Sequence, residues 1–311
     1  MIIENLHLKN FTVFEDIEVE FSKGINVFIG ENGSGKTHLM KFLYAYANKI
    51  SLKAVFDVEN HEAFRRNNSQ TEYSVNSKPL KACDLENDFY VEDAEKKAVF
   101  IPPRDRLTLS RNILKLAGDY AKDKNKIPFD IISVEICKKA LNEIPCGAEE
   151  NEIAKSLSNI MGGKVIFESD RFWIDKDGIK VEYAAEAEGL KRIGLLWRLL
   201  MNESIVHGSI LFWDEPEANI NPKLVPYLVD VFLALSRQNV QVFIATHDYE
   251  TANYITPKMK QDDDVLFHSF YQDDDSGAKH ESAKKYMDLE NNPIEDAGRE
   301  LFDFIVNSRR G

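Results

Sequence analysis

Cysteine is scarce in this 311-residue chain: Cys83, Cys137 and Cys146 stand far apart and none forms a C-x-x-C pair. An odd, sparse count excludes a disulfide framework and fits a reducing compartment. The seven histidines are scattered without metal-ligand spacing, which argues against a structural zinc site. No apolar run approaches the roughly 20 residues needed to cross a bilayer. The opening MIIENLHLKNF lacks the charged-then-apolar order of a secretory signal. A cytoplasmic protein without membrane contact is therefore expected. Positive charge is also short, with 39 Lys and Arg against 52 Asp and Glu and a formal net charge of -13. That excludes a uniformly basic nucleic-acid coat and leaves room only for a local basic groove. Internal repeats and heptad arrays are missing, so a solenoid or a long coiled coil is not expected. What is present is 43% hydrophobic and 29% charged residues, enough for a real core.

Hydrophobic periodicity divides the chain. Residues 2–29 alternate apolar and polar positions, which suggests an antiparallel pair leading into a buried strand, INVFI. A helix-like run follows over 36–50. Residues from about 55 to 97 turn polar and read as an inserted flap. KKAVFIPPR is a second buried strand, stopped by two prolines. Residues 111–163 alternate helical stretches with Pro and Gly breaks and read as a helical arm. RFWIDKDGIKVEY reads as a hairpin turning at KDG. EGLKRIGLLWRLLMN is a helix. SILFWDEPE and VQVFIATHD are apolar strands joined by a helix, a β-α-β pattern that implies parallel pairing. The expected organisation is an α/β fold in four parts: 1–110, 111–163, 164–270 and a tail, 271–311, of acidic loops and one amphipathic helix.

The densest chemistry lies at FIGENGSGKTHLM, residues 28–40. Gly30, Gly35, Lys36 and Thr37 complete G-x-x-x-x-G-K-[ST] between a strand and a helix. Glycines let the backbone curl so that its N–H groups point at phosphate oxygens, and the following helix aims its positive end at the same place. Gly30, Glu31, Asn32, Gly33, Ser34, Gly35, Lys36, Thr37 and His38 are thus the candidate binding residues for ATP. Lys36 would reach the terminal phosphates and the Thr37 hydroxyl would ligate Mg²⁺. A chance match of this pattern in a chain of this length has odds on the order of one in a hundred.

Downstream, Ile210 to Trp213 form an apolar run that ends in Asp214 and Glu215. A strand ending in two carboxylates suits phosphoryl chemistry: Asp214 on Mg²⁺, Glu215 orienting or polarising the attacking water. Alone, an acidic surface turn explains the pair equally well; beside a phosphate loop it does not. His247 ends a second apolar strand, where ligand groups of parallel sheets cluster, and is a candidate γ-phosphate sensor. Read alone, it would more commonly be a His bonded to its own loop.

Taken in order, LHLKNFTVFEDIEVEF, GENGSGKT, AEGLKRIGLLWRLL, LFWDEPEANINPKL and VFIATHD resemble the ABC-type ATPases of the SMC/RecF-like branch. More narrowly they resemble small prokaryotic AAA family proteins (AAA_15/AAA_21-like), related to ATPases of antiviral defence and overcoming-lysogenization-type systems. The resemblance covers roughly residues 1–50 and 160–250. It implies a P-loop NTPase head with a mixed sheet, an antiparallel β part at the N-terminus and an inserted helical arm. It makes AEGLKR the signature motif, in which Gly189 at a helix start contacts the γ-phosphate held by a second subunit. It implies a head-to-tail, ATP-dependent homodimer in which Glu215 and His247 serve hydrolysis alongside Lys36.

Departures from the family pattern matter. Ala187 stands where the signature usually has serine. IPPRDR replaces the expected glutamine after the mid-chain strand, leaving Arg104 or Asp105 as substitutes. Asn219 and Asn221 stand where transport ATPases often carry aspartate. The output expected from this reading is a regulatory ATPase of an antiviral or DNA-repair system, with DNA or RNA, or an effector chain such as a nuclease, as partner. Arg65, Arg66, Arg104, Arg106, Arg111, Lys191 and Arg192 are the candidates for a basic surface, against a bland reading of scattered solvated charge. The alternative is the ATPase subunit of a membrane transporter. A fused nuclease is not expected: about sixty residues follow His247, too few for such a domain, and the DDD runs at 262–264 and 273–275 read more simply as acidic loops.

Overall fold

The run INVFIG becomes strand β3 (Ile25–Gly30), buried at every position. A strand apolar on both faces needs neighbours on both edges and cover above and below. Its neighbours come from far along the chain: β11 (Gln241–Thr246) on one edge and β12 (Val265–Asp273) on the other, both parallel to it. β10 (Ile210–Asp214) extends the sheet beyond β11, and β6 (Ala98–Ile101) lies at that edge. β13 (Gly277–Ala283) closes the opposite edge, antiparallel to β12, giving the order β13-β12-β3-β11-β10-β6. The computed structural model describes residues 1–58, 61–64, 66, 71–80, 98–123, 131–273 and 277–308.

The expected N-terminal pair is present. β1 (Asn5–Phe11) and β2 (Phe14–Glu20) are antiparallel, with Leu8 opposite Ile17, and alternate residues such as Leu6, Leu8 and Val19 are buried. The segment expected as a flap contributes β4 (Glu72–Val75) and β5 (Lys78–Leu80), which extend this sheet to β2-β1-β4-β5; residues 59–60, 65, 67–70 and 81–97 lie outside the described residues. A third sheet holds β7 (Lys164–Glu168), β8 (Arg171–Lys176) and β9 (Ile179–Glu182). Its tight turn at Asp177 and Gly178 has φ of 52° and 88°, the left-handed values a two-residue hairpin requires.

Helix α1 (Lys36–Asn48) packs against β3, β6, β10 and β11. α2 (Leu52–Phe56) follows it. Residues 111–163 hold most of α3 (Ser110–Asp123), with α4 (Ile131–Leu141) and α5 (Glu152–Met161). Rather than forming a separate core, Ile132, Ile136 and Leu157 join one continuous apolar cluster with Leu196 and Phe212. α5 and α4 pack on α6 (Glu188–Met201), the helix of the signature-like segment. α7 (Val225–Arg237) covers β3 and β11, and α8 (Tyr249–Lys258) follows the His247 turn. Among the described residues no helix is long and apolar enough to cross a membrane.

The C-terminal expectation needs correction. A boundary at 271 would cut through β12; of the DDD run at 273–275 only Asp273, the last residue of β12, is among the described residues. The alternation in VLFHSFYQD is masked by His268, Ser269 and Gln272, so its strand character emerges only from pairing with β3. The amphipathic helix is present as α9 (Pro293–Ser308), with Leu301, Phe302, Phe304 and Ile305 exposed by 60%, 66%, 71% and 40%.

Candidate functional site

The loop between β3 and α1 is shaped by its glycines. Gly30, Gly33 and Gly35 have φ of 147°, 83° and 96°. A Cβ on Gly30 would fall on the Phe270 carbonyl oxygen of β12, and one on Gly35 would strike the Phe14 ring. Gly35 is the N-cap of α1 and offers no side chain to its first N–H groups. The positive end of the helix is therefore left open towards the loop, the arrangement that favours an anion.

Lys36 folds back over this loop. Its Nζ donates to the Gly30 carbonyl at 2.6 Å and the Glu31 carbonyl at 2.8 Å, and approaches Ser34 Oγ at 3.4 Å. Burial lowers the lysine pKa, while Asp214, Glu215, Glu31 and Glu217 act in the opposite sense. The ammonium thus takes the position of a counter-ion in a loop lined by its own backbone. Ser34 is buried. His38 stands against the Phe56 ring, with Nδ1 enclosed and without a hydrogen-bond partner, and burial lowers its pKa.

The carboxylates arrive from β10. Thr37 Oγ1 donates to Asp214 Oδ2 at 3.0 Å, joining the helix start to the end of the strand. Burial pushes the Asp214 carboxyl up to about 6, with neighbouring Glu215 adding to the rise and the Thr37 hydroxyl opposing it. Glu215 turns the chain with φ 48°, and its N–H donates to the Ala245 carbonyl of β11 at 2.8 Å. A left-handed non-glycine residue at a strand end carries strain that clusters at functional positions. His247 Nδ1 lies 3.4 Å from Glu215 Oε1. Lys36, Thr37, Asp214, Glu215 and His247 therefore meet at the carboxyl ends of adjacent parallel strands, where such sheets place their ligands.

Two residues that sequence reasoning assigned elsewhere, or missed, belong to this site. Arg192 was a candidate for a basic surface; it is 2% exposed. Its guanidinium donates to the carbonyls of Asp214 (2.8 Å), Glu215, Ala218 (3.4 Å) and Pro102 (3.5 Å), and it stands over the Trp213 ring. Burial lowers its pKa to about 10, opposed by Glu217, Asp214 and Glu215. It fixes the backbone that carries the two carboxylates. The only sequence signal was a cation directly before the apolar run IGLLW. Glu217, in DEPE, accepts a hydrogen bond from Thr246 Oγ1 at 2.6 Å. Burial raises its pKa to about 7.

Gly189 packs within its own chain: a Cβ there would lie 2.5 Å from the Asn219 carbonyl oxygen. That close approach explains the glycine without a second subunit. Ala187 and Glu188, at the uncapped start of α6, are exposed. Asp105 caps the turn that precedes α3, accepting from the N–H groups of Leu107 (2.9 Å) and Thr108 (3.2 Å), so its carboxylate is engaged locally; Arg104 is exposed at the end of β6.

The remaining basic candidates do not gather. Lys191 is buried beside Glu188, Arg66 donates to the Val13 carbonyl, Arg106 to Ser133, and Arg111 pairs with Asp170; Arg65 lies outside the described residues. Of the first acidic run, Asp263 is held by Arg237 and Asp264 by the Lys23 N–H. Among the described residues no group of three or more His, Cys, Asp or Glu is placed to hold a metal ion.

The residues nevertheless fit a magnesium nucleotide. Mg²⁺ is commonly held by one or two protein oxygens together with phosphate and water, and Thr37 and Asp214 present such a pair. A cation beside Asp214 would relieve the charge that burial disfavours. Positive-φ glycines and an open helix start suit a polyphosphate.

Comparison with known proteins agrees with this geometry. Residues 1–131 match the family model described as AAA ATPase domain (AAA_15). The DNA replication and repair protein RecF of Ligilactobacillus salivarius is 47% identical over 59 residues, 19% of this chain and 16% of that protein. RecF of Streptococcus suis is 43% identical over 47 residues, 15% of this chain and 13% of that protein. The chain thus spans less than a fifth of the length of these curated relatives. In fold, the Smc head domain of Pyrococcus furiosus, solved with the C-terminal domain of ScpA, aligns over 97% of this chain and 99% of that one, with a TM-score of 0.54 at 14% identity. The SMC head domain from Thermotoga maritima aligns over 91% of this chain and 99% of that one, with a TM-score of 0.50 at 16% identity. The chain resembles SMC/RecF-like ATPases: in sequence over its N-terminal part, in fold over nearly its whole length.

Proposed function

We propose that this chain binds and hydrolyses ATP with Mg²⁺ and acts as an ATP-gated dimeric switch in a DNA-repair or antiviral-defence system. One observation carries the reading. The phosphate-loop residues Lys36 and Thr37 stand beside Asp214, Glu215 and His247, with a 3.0 Å hydrogen bond from Thr37 to Asp214 joining the two halves. When bound, Mg²⁺ would supply charge neutralisation at the terminal phosphates. Thr37 and Asp214 would hold it. Lys36 exchanges the Gly30 and Glu31 carbonyls for phosphate oxygens. Glu215 orients and polarises a water, and His247 bears on the same carboxylate.

The open start of α6 supports the dimer in this reading. Ala187 and Glu188 are exposed there, and a helix start offers N–H groups to an anion held by another copy. The repair link rests on the name of the RecF relatives, and a protein partner on the ScpA-bound Smc head. No observation favours the transporter alternative, which has only the shared loop and carboxylates behind it.

The test is Glu215→Gln. It retains Mg-ATP binding by calorimetry, loses hydrolysis about 100-fold or more, and elutes as a dimer with Mg-ATP and as a monomer without it. No binding heat from Mg-ATP with the folded wild type would overturn the reading; a monomer under both conditions would remove the dimer.

A further inference from the structure

We infer that Glu217 is a positioning residue, whose buried carboxyl holds the Thr246 hydroxyl and through it the strand end that presents His247 to Glu215. The inference rests on the ATPase reading above. Thr246, the last residue of β11, is fully buried. Its hydroxyl donates to Glu217 Oε1 at 2.6 Å and accepts from the Asp248 N–H at 2.9 Å. Those two bonds bracket His247 on both sides. Asp248 in turn accepts from the Thr251 N–H at 2.7 Å and caps α8. One hydroxyl therefore ties three things together: the turn after β10, the end of β11 and the start of α8.

Glu217 makes this link at a cost. Its second oxygen, Oε2, is enclosed without a hydrogen-bond partner. An apolar residue would fill the space without leaving a carboxylate oxygen unpaired, and a buried unpaired polar atom opposes folding. Burial raises its pKa to about 7, and Arg192, held at the backbone of Asp214 and Glu215, feels Glu217 as its foremost opposite charge. The position thus lies between the guanidinium that fixes the carboxylate strand and the hydroxyl that fixes the histidine strand. Thr246 holds the carbonyl-like oxygen of an acid or of an amide equally well, so Gln is the conservative replacement and Ala the disruptive one.

The experiment compares Glu217→Ala, Glu217→Gln, Thr246→Val and His247→Ala, with the double variants Glu217→Ala/Thr246→Val and Glu217→Ala/His247→Ala. Steady-state ATP hydrolysis is read together with the histidine ring resonances of the nucleotide-free protein. Glu217→Ala and Thr246→Val each lower kcat about 10- to 100-fold with KM within about twofold, as a small displacement of a working group does. The Glu217/Thr246 double is no worse than either single. In the His247→Ala background the Glu217→Ala loss shrinks towards nothing. Glu217→Gln keeps most of kcat. Both disruptive variants move the His247 ring signals, and Glu217→Gln leaves them in place.

Multiplicative losses from Glu217→Ala and His247→Ala, or unmoved His247 signals in both disruptive variants, overturn the inference. If Glu217→Ala does not fold, Thr246→Val, which keeps the side-chain volume, decides by the same criteria. A wild type that neither binds nor hydrolyses Mg-ATP overturns the ATPase reading and this inference with it. An active wild type with multiplicative losses overturns this inference alone.

Discussion

The Thr37 hydroxyl donates to Asp214 at 3.0 Å across 177 positions of sequence. A hydroxyl and a carboxylate at that distance either satisfy each other or share a cation. Those two oxygens are thus placed where a divalent cation could join them.

Lys36→Ala should weaken Mg-ATP binding at least about tenfold, because its ammonium is held directly over the loop. Titration calorimetry reads this directly, and unchanged affinity would detach the loop from nucleotide binding.

Asp214→Asn should stabilise the nucleotide-free protein at neutral pH. Folding raises this carboxyl from 3.8 to about 6. Between those values the folded protein holds a proton that the unfolded chain has lost, so stability declines as pH rises through the window and stays lower above it. Removing the charge should recover about 1–3 kcal/mol well above pH 6, and progressively less towards pH 4. Guanidinium denaturation at both ends of the window checks it. The same variant should lose Mg-dependent hydrolysis, which separates stability from activity.

Arg192→Met should cost about 2–4 kcal/mol, since carbonyls at Asp214, Glu215 and Ala218 would lose their donor in a buried place. Arg192→Lys should not restore it, because a point ammonium cannot span several carbonyls as the planar fork does. Denaturation midpoints of the two variants decide this.

Gly189→Ala should destabilise by about 1–3 kcal/mol through contact of the new methyl group with the Asn219 carbonyl. The loss should appear in the isolated chain at any protein concentration. A variant that is stable alone yet defective only with nucleotide would return Gly189 to a purely intersubunit role.

The exposed rings of α9 should bind a hydrophobic dye such as anilinonaphthalene sulfonate. Phe302→Glu/Phe304→Glu should reduce the fluorescence several-fold while moving stability by no more than about 0.5 kcal/mol per site.

Much of the fold could be read from local pattern. β10 and β11 carry the apolar runs ILFW and VFIA, and β3 one broken only by Asn26; the glycines, Lys36 and Thr37 lie within eight consecutive positions, so their chemistry survives translation into three dimensions. β12 was less visible because a polar His268–Ser269 pair sits in its middle, satisfied only by tertiary partners: His268 by His280 and Asn26, Ser269 by the Asn291 carbonyl. Arg192 was misread for a similar reason. A cation in an amphipathic helix looks solvated until four backbone carbonyls, at the end of β10, in the turn after it and just past β6, are found around it. Glu217 had no role in the sequence, and only the approach of β11 reveals its bond to Thr246. Gly189 had a family reason in sequence and gains a steric one in the structure.

The placement of β3 between β11 and β12 has a consequence for how the chain becomes competent. Both flanking strands are synthesised more than 200 residues after it. During translation the glycine loop would emerge early, with neither rail of its frame in place. Closing such long loops is slow relative to forming local contacts. A fragment cut to the first 131 residues would therefore carry the fingerprint of a nucleotide site without the two strands that hold its shape, and capture of ATP would wait on synthesis through β12.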